Sequence, residues 1–499
     1  MLQHVDVMDV FRLLELSSLD ATKVTFEATV PTGFETVALG EFRDKFGSTE
    51  EACHSRGRIF FNVPNHQLSL VQELRSVDNI FVLAYGDVQL KYQNRVPEDY
   101  ELIKNHASIT SWDKALSVWR NVYEFSGILF PTKEEYCNGL EQEQHLKELT
   151  KIIISNELHD KSLFKEFNYD ELVEIKNSFL RKREEEIVRE SFKDKCNSST
   201  EIAFKKTMEQ AIRNQLDKRE MKDKVLKYRV TCYRSGRHSF GSQDAAYHFG
   251  GVLQDKFNWI VDLSVHDLEV VLTVKDDVLY CGIALTKESK HHRNIAHFGP
   301  TTLRATICYN LLRLGAPAVG DVIIDPLCGG GSISIEGCIA FPGTYHLCGD
   351  VHLKATSRTS KNIKDLRNKE SFIELLMWDA KALPLLDSCV DLFVTDLPFG
   401  KRSGSRHDNR TLYRDVLVEL GRVVRPSSGR AVLLTQDRNS MSVAFSQTCG
   451  LWTITKIMRA NIGGLDAAVY VLRREPSVYY RDILFSRKKK KRKIKNKNC

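Results

Sequence analysis

The amino-acid sequence predicts an α/β protein whose C-terminal part is a doubly wound sheet of parallel strands. Short apolar runs recur between residues 322 and 434, and they lack the polar alternation of half-exposed strands. Segments with helical spacing separate these runs, and several of the runs end in an aspartate. Strands that are buried on both faces of a parallel sheet have this pattern, and ligands bind where such strands end. The sequence therefore predicts a ligand site at the carboxyl edge of this sheet.

Length and composition limit the possible classes of protein. The chain has 499 residues and a net charge of +7, which predicts about two to four domains and permits a polyanionic partner. Its 12 cysteines form no C-x-x-C pair and no cluster with zinc spacing, which favours a reduced intracellular protein without a metal site. We expect no signal peptide, since residues 1–16 contain Asp6, Asp9 and Glu15 and lack a basic segment followed by an apolar one. We expect no membrane span, since no apolar run reaches about 18 residues. The expected location is the cytoplasm.

The first 133 residues are predicted to contain an N-terminal extension, 1–23, and a small α+β unit, 24–133. Strand and helix patterns alternate in this unit, in the order strand, helix, strand, helix, strand. They lie at 24–30, 34–46, 58–63, 68–74 and 79–85. This order is typical of the split βαβ arrangement.

Residues 134–224 differ from the segments on either side. They are dense in charge and almost free of glycine and proline, which predicts a helical or partly disordered insert. Ordered structure is predicted to resume in the segment 225–290. Its elements are a strand at 226–233, a helix at 242–259 and a hairpin of strands at 268–274 and 278–285.

The segment 291–476 carries the predicted parallel sheet. A helix at 301–314 precedes strands at 322–324, 345–349, 372–376, 390–395 and 431–434. Two further strands, 452–458 and 467–472, flank a Gly-Gly pair and predict a terminal hairpin. The tail, 477–499, contains nine basic residues and no acid between 487 and 497. It is predicted to be unstructured, and it is either a nuclear-targeting or nucleic-acid-binding arm or a solvated tail without a dedicated role.

A glycine-rich loop follows the first strand of this sheet and precedes a predicted helix. Its three consecutive glycines let the backbone turn sharply and approach a ligand closely. A purely structural loop is the alternative when the feature is taken alone. The members of the loop that we expect to contact a cofactor are Asp325, Pro326, Cys328, Gly329 and Gly331.

Three acids that follow successive strands indicate the chemistry of this cofactor. Asp325 is placed to bind an ammonium group, and Asp350 to accept hydrogen bonds from ribose hydroxyls. Asp379, after the third strand, is placed to contact adenine. A pyrophosphate would be repelled by Asp325, and the chain has no G-x-x-x-x-G-K-[ST] motif. The pattern therefore favours S-adenosyl-L-methionine over a dinucleotide or a P-loop nucleotide.

A second motif, Asp396-Leu397-Pro398-Phe399, ends the fourth strand and resembles the [DNS]-P-P-[FYW] tetrapeptide of amino-methyltransferases. The Asp396 carboxylate and the Leu397 carbonyl are each placed to accept one N–H of an aromatic amine, which turns the lone pair of the amine toward a methyl group. Pro398 stiffens the turn, and Phe399 offers a face for base stacking, worth roughly 1–3 kcal/mol per base. These four residues are the predicted catalytic residues, and no metal is required.

Two cations follow this motif directly. Lys401 and Arg402 are predicted to bind the backbone of an RNA near the target base, and ordinary surface charges are the alternative.

Taken together, these motifs resemble the THUMP-domain tRNA methyltransferases, in particular the vertebrate members that act on guanosine N2. The resemblance is carried by the loop at 325–331, the turn at 396–402 and the upstream segment 297–304. Further matching stretches are 31–35, 74–79 and 430–437. The resemblance covers most of the chain except the insert and the basic tail. One departure is Gly330, which stands where family loops often have serine or threonine.

The resemblance implies a class I Rossmann-like methyltransferase domain that uses S-adenosyl-L-methionine, preceded by a ferredoxin-like region and a THUMP domain. It implies that the chain forms N2-methylguanosine in the acceptor-stem region of tRNA, with the THUMP region binding the tRNA 3′ end and the target base flipped out. It also implies a heterodimer with a small zinc-binding activator protein, which pairs with the edge of the methyltransferase sheet. A nuclear location in addition to the cytoplasm is expected if the basic tail is a targeting signal.

Two other functions stay open at this point. One is a non-catalytic tRNA-binding protein with a degenerate cofactor site, against which the intact aspartates argue. The other is an amino-methyltransferase that acts on adenine or on a protein amide. Such enzymes usually have N-P-P-[YF], so Asp396 tilts the prediction toward guanine.

Overall fold

The computed structural model of the chain describes residues 5–47, 51–88, 90–93, 95–155, 171–172, 174–178, 207–208, 211, 224–366, 372–399, 406–448 and 450–476. The strands in chain order are β1 (Lys23–Thr29), β2 (Ala52–Ser55), β3 (Arg58–Pro64), β4 (Asn79–Asp87), β5 (Lys227–Ser235), β6 (Ile260–Val261), β7 (Leu268–Lys275), β8 (Val278–Ala284), β9 (Val322–Asp325), β10 (Tyr345–Asp350), β11 (Ile373–Met377), β12 (Leu392–Asp396), β13 (Arg430–Thr435), β14 (Trp452–Ile462) and β15 (Leu465–Arg474). The α-helices are α1 (Val5–Leu19), α2 (Glu35–Phe46), α3 (Val96–Ile109), α4 (Asp113–Tyr123), α5 (Lys133–Ser155), α6 (Ser242–Phe257), α7 (Ala305–Leu314), α8 (Ser332–Ala340), α9 (Leu353–Lys364), α10 (Arg406–Val423) and α11 (Arg438–Gln447). Two 3-10 helices lie at Asn65–Glu73 and Lys290–His292.

The chain forms two compact units that draw on separate stretches of sequence. The first unit comprises Met1–Leu13, Glu27–Ile80 and Thr286–Cys499, and the second comprises Leu14–Phe26 and Phe81–Leu285, as far as these stretches are described. The domain boundaries predicted from the sequence stay a prediction.

A seven-stranded sheet forms the centre of the first unit, in the order β11-β10-β9-β12-β13-β15-β14. Strands β11, β10, β9, β12 and β13 run parallel to their neighbours, and β15 is antiparallel to both β13 and β14. Four of the five residues of β12 are buried, as expected for a strand covered by helices on both faces. The predicted parallel sheet with a terminal hairpin is confirmed.

The stretch Glu27–Ile80 packs with the seven-stranded sheet in the same unit through α7 and α8. Thr306 donates to the Asp78 carboxylate over 2.6 Å, and the Asn310 amide donates to the Ser76 carbonyl over 3.0 Å. The Glu336 carboxylate on α8, which is 1% exposed, accepts from Arg75 over 2.8 Å and from Arg293 over 2.7 Å. Two guanidinium groups thus neutralise the buried carboxylate, and a buried charge without a partner would be strongly destabilising. Strands β2 and β3 form an antiparallel pair in this stretch.

The second unit contains the predicted hairpin of β7 and β8, which are antiparallel. Strand β8 also pairs with β4, and β5 pairs in parallel with β7 and β6. The Tyr228 hydroxyl on β5 donates to the Gly250 carbonyl of α6 over 2.7 Å. Lys227, which is 1% exposed, pairs with Asp262 at 3.2 Å and with Glu143 of α5 at 3.4 Å. The start of the predicted insert is therefore helical and packed, and most of residues 156–223 lie outside the described residues, as does the tail from 477.

The structure corrects several predicted elements. The helix predicted at 68–74 is a 3-10 helix, Asn65–Glu73, and Lys290 donates to the carbonyls of Gln72 and Leu74 at its end. The helix predicted at 301–314 begins at Ala305, because Thr302 accepts a hydrogen bond from Gly299 N and closes a turn. Helices α1, α3 and α4 and strand β2 were not predicted. Among the described helices, none has the length and apolar character needed to span a bilayer.

Candidate active site

The candidate active site lies where the strand order of the seven-stranded sheet reverses. From β9 the chain continues to β10 on one side, whereas β12 lies on the other side of β9. In open α/β sheets, ligands bind in the crevice at such a switch point, beyond the carboxyl ends of the strands. The loops that follow β9 and β12 border this crevice. They contain the two predicted motifs, which are called the glycine loop (325–331) and the acceptor turn (396–399) below.

Left-handed backbone at two positions shapes the glycine loop. Gly329 has φ of +57° and Gly331 has φ of +81°, a region that residues with a Cβ rarely adopt. A Cβ on Gly331 would lie 2.6 Å from Cγ2 of Thr359, so only glycine fits there. By contrast, a Cβ on Gly329 would meet no atom within 4 Å. The loop therefore presents open backbone at Gly329 and ends at the N-terminus of α8.

The carboxylate of Asp325 is the most deeply buried of the predicted cofactor acids, with 2% of the residue exposed. Its Oδ1 accepts from the Thr395 hydroxyl over 2.8 Å and from Leu327 N over 3.3 Å. Burial raises the pKa of Asp325 to about 7, the nearby Asp350 adds to the rise, and the two hydrogen bonds oppose it. An adjacent cation would favour the charged carboxylate, so this group is suited to bind one.

Asp350, at the end of β10, connects its strand to the glycine loop. One carboxylate oxygen accepts from Gly329 N over 3.1 Å, and the other accepts from His352 N over 2.9 Å. Each oxygen still has a lone pair, because a carboxylate oxygen can accept two hydrogen bonds. The structure thus brings Asp350 and Gly329 together, as the sequence predicted for one cofactor site.

Asp379 is placed differently from the other two acids. Its side chain is 48% exposed and forms an ion pair with Lys381 at 3.3 Å. The residue before it, Trp378, is buried and donates from its indole nitrogen to the Pro326 carbonyl over 3.2 Å. The end of β11 therefore contacts the glycine loop through Trp378, which the sequence analysis did not single out.

The side chain of Cys328 is buried beneath the glycine loop and does not form part of its surface. It is 7% exposed, and its sulfur lies 3.7 Å from the Thr359 hydroxyl. A hydrogen bond with Cys348 and burial raise the pKa of the Cys328 thiol, so the thiol stays neutral. Its backbone N–H donates to the Gly349 carbonyl over 2.9 Å, which fixes the start of the turn.

The acceptor turn presents an unusual carboxylate. Asp396 is only partly buried as a residue, yet its Oδ1 is buried and has no hydrogen-bond partner among the described residues. Burial, with a further contribution from Asp325, raises the pKa of Asp396 well above its ordinary value. A buried acceptor without a partner is destabilising, and in native proteins such an atom calls for an explanation. An incoming N–H donor supplies one.

Hydrogen bonds fix the other residues of the acceptor turn. Leu397 N donates to the Leu434 carbonyl over 2.9 Å, whereas no described residue donates to the Leu397 carbonyl. The Pro398 carbonyl accepts from Asn409 and Tyr413 of α10. Phe399 is half-buried. Among the described residues, the turn thus leaves both predicted acceptors, Asp396 Oδ1 and the Leu397 carbonyl, without a hydrogen-bond donor.

Several supporting residues were missed by sequence reasoning. Thr359 and Asn362 of α9 donate to the carbonyls of Gly329 and Gly330, over 3.1 and 2.9 Å. Asn362 also accepts from His297 N over 2.9 Å, so the upstream segment 297–304 packs against the glycine loop. These are ordinary polar residues of a helix, and no motif marks them.

Lys401 and Arg402 lie outside the described residues, as does Gly400. Within the described stretches, no group of three or more His, Cys, Asp or Glu side chains has the geometry of a metal site.

Comparisons with known proteins agree with this geometry. The RMKL-like methyltransferase domain family (UPF0020) matches residues 293–468. A tRNA (guanine(6)-N(2))-methyltransferase THUMP3 from Bos taurus is 38% identical over 491 residues, which cover 93% of this chain and 91% of the relative. A U6 snRNA (guanine-N(2))-methyltransferase THUMPD2 from Bos taurus is 26% identical and covers 85% of this chain and 80% of the relative. The solved structure of TrmN from Thermus thermophilus superposes with a TM-score of 0.59 at 17% identity, covering 90% of this chain and 99% of that chain.

These relatives and the switch-point site define the chain as a Rossmann-like methyltransferase, an enzyme that uses S-adenosylmethionine as its methyl donor. The match to the Bos taurus relative, at 38% identity over nearly the full length of both chains, also shows the family. The chain belongs to the THUMP-domain tRNA methyltransferase family, and the resemblance seen in the sequence is confirmed.

Proposed function

We propose that this chain transfers the methyl group of S-adenosylmethionine to the exocyclic N2 of a guanosine in the acceptor-stem region of tRNA. The observation that carries the proposal is Oδ1 of Asp396, a buried atom that has no partner among the described residues and lies at the switch point beside the glycine loop. The substrate in the proposal follows the names of the relatives, which are guanine-N2 methyltransferases of tRNA or of U6 snRNA.

The residues of the glycine loop fit S-adenosylmethionine. When bound, this cofactor supplies an electrophilic methyl group on a positively charged sulfur. Asp325 would bind its ammonium group, Asp350 its ribose hydroxyls, and Asp379 its adenine. The open space at Gly329 lets the backbone approach the ligand, and Gly331 and the residues Pro326 and Cys328 shape the loop. The acids at this edge attract a cation and would repel a pyrophosphate.

The acceptor turn would orient the amine. The Asp396 carboxylate and the Leu397 carbonyl would each accept one N–H of guanine N2, which turns the lone pair toward the methyl group. The face of Phe399 would stack on the base, and Pro398 would stiffen the turn. The rate gain would come from positioning in line with the methyl group and from stabilising the positive charge that develops on nitrogen.

We propose that the second unit, together with Lys401 and Arg402 after the acceptor turn, binds the RNA. On the second unit, Tyr247 is 77% exposed and Tyr233 is 47% exposed, and exposed aromatic rings are platforms for unpaired bases. The tRNA 3′ end is the proposed ligand of this unit. Lys401 and Arg402 would bind phosphates beside a guanosine that is flipped out of its stem.

We further propose that a small zinc-binding activator protein pairs with β11. This strand is at the edge of the described sheet. Apolar side chains are exposed around it, with Phe372 at 54%, Met377 at 64% and Leu353 at 70%. An exposed apolar edge is a template for pairing with another chain. Co-purification of the two proteins, lost in Met377→Glu and kept in the distant surface variant Val319→Glu, would support this partner.

The proposed location is the cytoplasm, with the nucleus as a second location if the basic tail acts as a targeting signal. Removal of residues 487–497 and imaging of the shortened chain would test the contribution of the tail.

The deciding experiment incubates the chain, with and without the activator, with deuterated methyl donor and either tRNA or U6 snRNA. Mass spectrometry of the digested nucleosides should find the label in N2-methylguanosine from tRNA. Label in U6 snRNA alone would replace the substrate, label in N6-methyladenosine would replace the acceptor, and no label in any RNA would favour a non-catalytic binding protein.

A further inference from the structure

Pro398 of the acceptor turn and four other residues form a closed ring of hydrogen bonds, called the Pro398 ring here. The Pro398 carbonyl accepts from the Asn409 amide over 3.0 Å and from the Tyr413 hydroxyl over 2.6 Å. The Asn409 amide also lies 3.3 Å from the Asp437 carboxylate. The ring closes through Thr435, whose hydroxyl lies 2.7 Å from that of Tyr413 and accepts from Asp437 N over 2.9 Å. It joins α10, β13 and the start of α11 to the acceptor turn.

The hydrogen atoms in this ring can be assigned from chemistry. A carbonyl only accepts, so the single hydroxyl hydrogen of Tyr413 points to Pro398. The hydroxyl of Thr435 must then donate to the oxygen of Tyr413, and it accepts from Asp437 N. The bonds therefore run in one direction, from Asp437 N through Thr435 and Tyr413 to the Pro398 carbonyl. Chains of this kind polarise one another and strengthen their last acceptor bond.

Burial keeps the donors of the ring in their donor form. Tyr413 is 1% exposed and Asn409 is fully buried. Burial is the main reason that the pKa of Tyr413 is raised above its ordinary value, so the hydroxyl stays protonated. The Oδ1 of Asn409 is buried without a partner in the described structure, which is a destabilising arrangement that an apolar side chain would avoid. The amide is therefore better explained by the bond that it donates than by packing.

Hydrogen bonds to the Pro398 carbonyl determine the backbone conformation of the turn, because proline has few free dihedrals. The pyrrolidine ring fixes φ of Pro398, so ψ is its only soft backbone dihedral. Two hydrogen bonds to the carbonyl fix that ψ, and with it the direction in which Phe399 leaves the turn. The carbonyl of Leu397 belongs to the peptide plane on the other side of Pro398. Fixing Pro398 therefore sets the relation between the predicted acceptor carbonyl and the stacking ring.

We propose that Tyr413 and Asn409 are positioning residues, which hold the acceptor turn in the geometry for methyl transfer through the Pro398 carbonyl. The inference rests on the proposed function of the turn in binding the target base. Neither residue contacts the base. Their loss should lower the rate of the bound complex and leave the cofactor site intact, since the glycine loop has separate supports in Thr359 and Asn362.

The test is the variant Tyr413→Phe, which keeps the aromatic side chain and removes the hydroxyl that joins the Pro398 ring. In steady-state assays with the full chain, its activator and tRNA, kcat should fall about 10- to 100-fold, as expected when a reacting group is displaced by about 1 Å. The affinity for S-adenosylmethionine, measured by calorimetry, should stay within about twofold of the wild-type value, because the Pro398 ring does not support the glycine loop. A tenfold loss of affinity would correspond to about 1.4 kcal/mol. The matched control is Tyr309→Phe, which removes the hydroxyl of another buried tyrosine of the same unit, near Glu41 and Arg313. The kcat of Tyr309→Phe should match that of the wild type, even if its melting temperature falls as much as that of Tyr413→Phe.

The second variant, Asn409→Ala, keeps the proposal testable if Tyr413→Phe folds poorly, and it should show the same split between kcat and cofactor affinity. Wild-type kcat in both variants would overturn the positioning role while the proposed function stands. A loss of cofactor affinity as large as the loss of kcat would also overturn it, because the ring would then support the whole site. An inactive wild-type chain would instead refute the proposed function, and the inference with it.

Discussion

The glycine loop and the acceptor turn lie at the ends of neighbouring strands, but the acids at these two places differ in their hydrogen bonds. Asp325 in the glycine loop, and Asp350 at the end of β10 beside it, each accept hydrogen bonds from the protein, over 2.8 to 3.3 Å. In the acceptor turn, Asp396 keeps a buried oxygen without any partner in the described chain. One loop is complete before a ligand arrives, and the other has an unfilled acceptor. The difference teaches which ligand each loop serves.

A complete loop suits a cofactor that binds in one form in every cycle. Its carboxylates are oriented by backbone N–H groups, so binding requires little reorganisation. An unfilled, buried acceptor suits the reacting amine, because its desolvation is compensated only when the amine is in place. The division predicts that changes in the two loops separate cofactor affinity from turnover.

The largest effect is expected for Asp396→Ala. Loss of the unfilled acceptor should reduce kcat by about 10²- to 10³-fold or more, the usual effect of removing one preorganised group from a transition state. The dissociation constant for S-adenosylmethionine should remain within about twofold, which calorimetry measures. Asp396→Asn is the matched variant, because its amide oxygen keeps an acceptor, and it should retain measurable turnover. Wild-type turnover in the alanine variant would remove Asp396 from the reaction.

Asp350→Ala should have the next largest effect, on the cofactor alone. Hydrogen bonds to a charged group contribute about 1.5–3 kcal/mol, so affinity for S-adenosylmethionine should fall about 10- to 100-fold. Asp387→Ala is the control, since this acid pairs with Arg422 at 2.6 Å before the start of β12, at the end of the strand opposite to the carboxyl edge. Unchanged calorimetric affinity in Asp350→Ala would count against the ribose assignment.

The pH dependence of cofactor binding tests Asp325. The pKa of this carboxyl in the free protein is raised to about 7, so at pH 5.5 it is protonated and neutral, and above pH 7 it is ionised. The ionised form binds a cation, so affinity should rise with pH, by about tenfold per pH unit below pH 7, and then level off. Calorimetry in buffers of different ionisation enthalpy should detect proton release at pH 6. Asp325→Asn should bind more weakly and without this slope, and a slope that persists would assign it to another group.

The smallest effect is expected for Asp379→Ala. This side chain is 48% exposed and already pairs with Lys381, so solvent screens whatever it contributes to adenine binding. Affinity should fall by about two- to threefold. Trp378→Phe removes the indole donor to the Pro326 carbonyl. It should reduce the affinity for S-adenosylmethionine more than Asp379→Ala does, because that hydrogen bond is buried. The reverse order would give Asp379 the role that the structure assigns to its neighbour.

Much of the site could be predicted because it depends on local chemistry. Three glycines after an apolar run and an aspartate at a strand end are visible in a single sequence, as are the strands that place them. The supports of the site were not predictable, because Asn409, Tyr413 and Thr359 reach the loops from helices, 11 to 30 residues further along the chain. A polar residue on a helix has many ordinary roles, and only the fold shows which backbone group it meets. The same reason hid Trp378, which resembles any core aromatic residue.

The extent of the fold prediction has the same explanation. The strands of the parallel sheet and the terminal hairpin were found because their apolar residues form short runs between turn residues, a pattern that predicts strands. Strand β2 was missed because all four of its residues are partly exposed, which leaves no apolar run to recognise. The helix predicted at 68–74 is a 3-10 helix, Asn65–Glu73, and the apolar spacing of so short a segment does not distinguish the two helix types.

The most direct test of the division between the two loops is single-turnover methyl transfer to tRNA at rising concentrations of S-adenosylmethionine. Asp350→Ala should approach the wild-type rate when the cofactor is saturating, because its defect is in affinity. Asp396→Ala should stay at its low rate at every concentration, because its defect is in the reaction of the bound complex. Recovery of Asp396→Ala by excess cofactor, together with a failure of Asp350→Ala to recover, would contradict the assignment of the glycine loop to the cofactor and the acceptor turn to the amine.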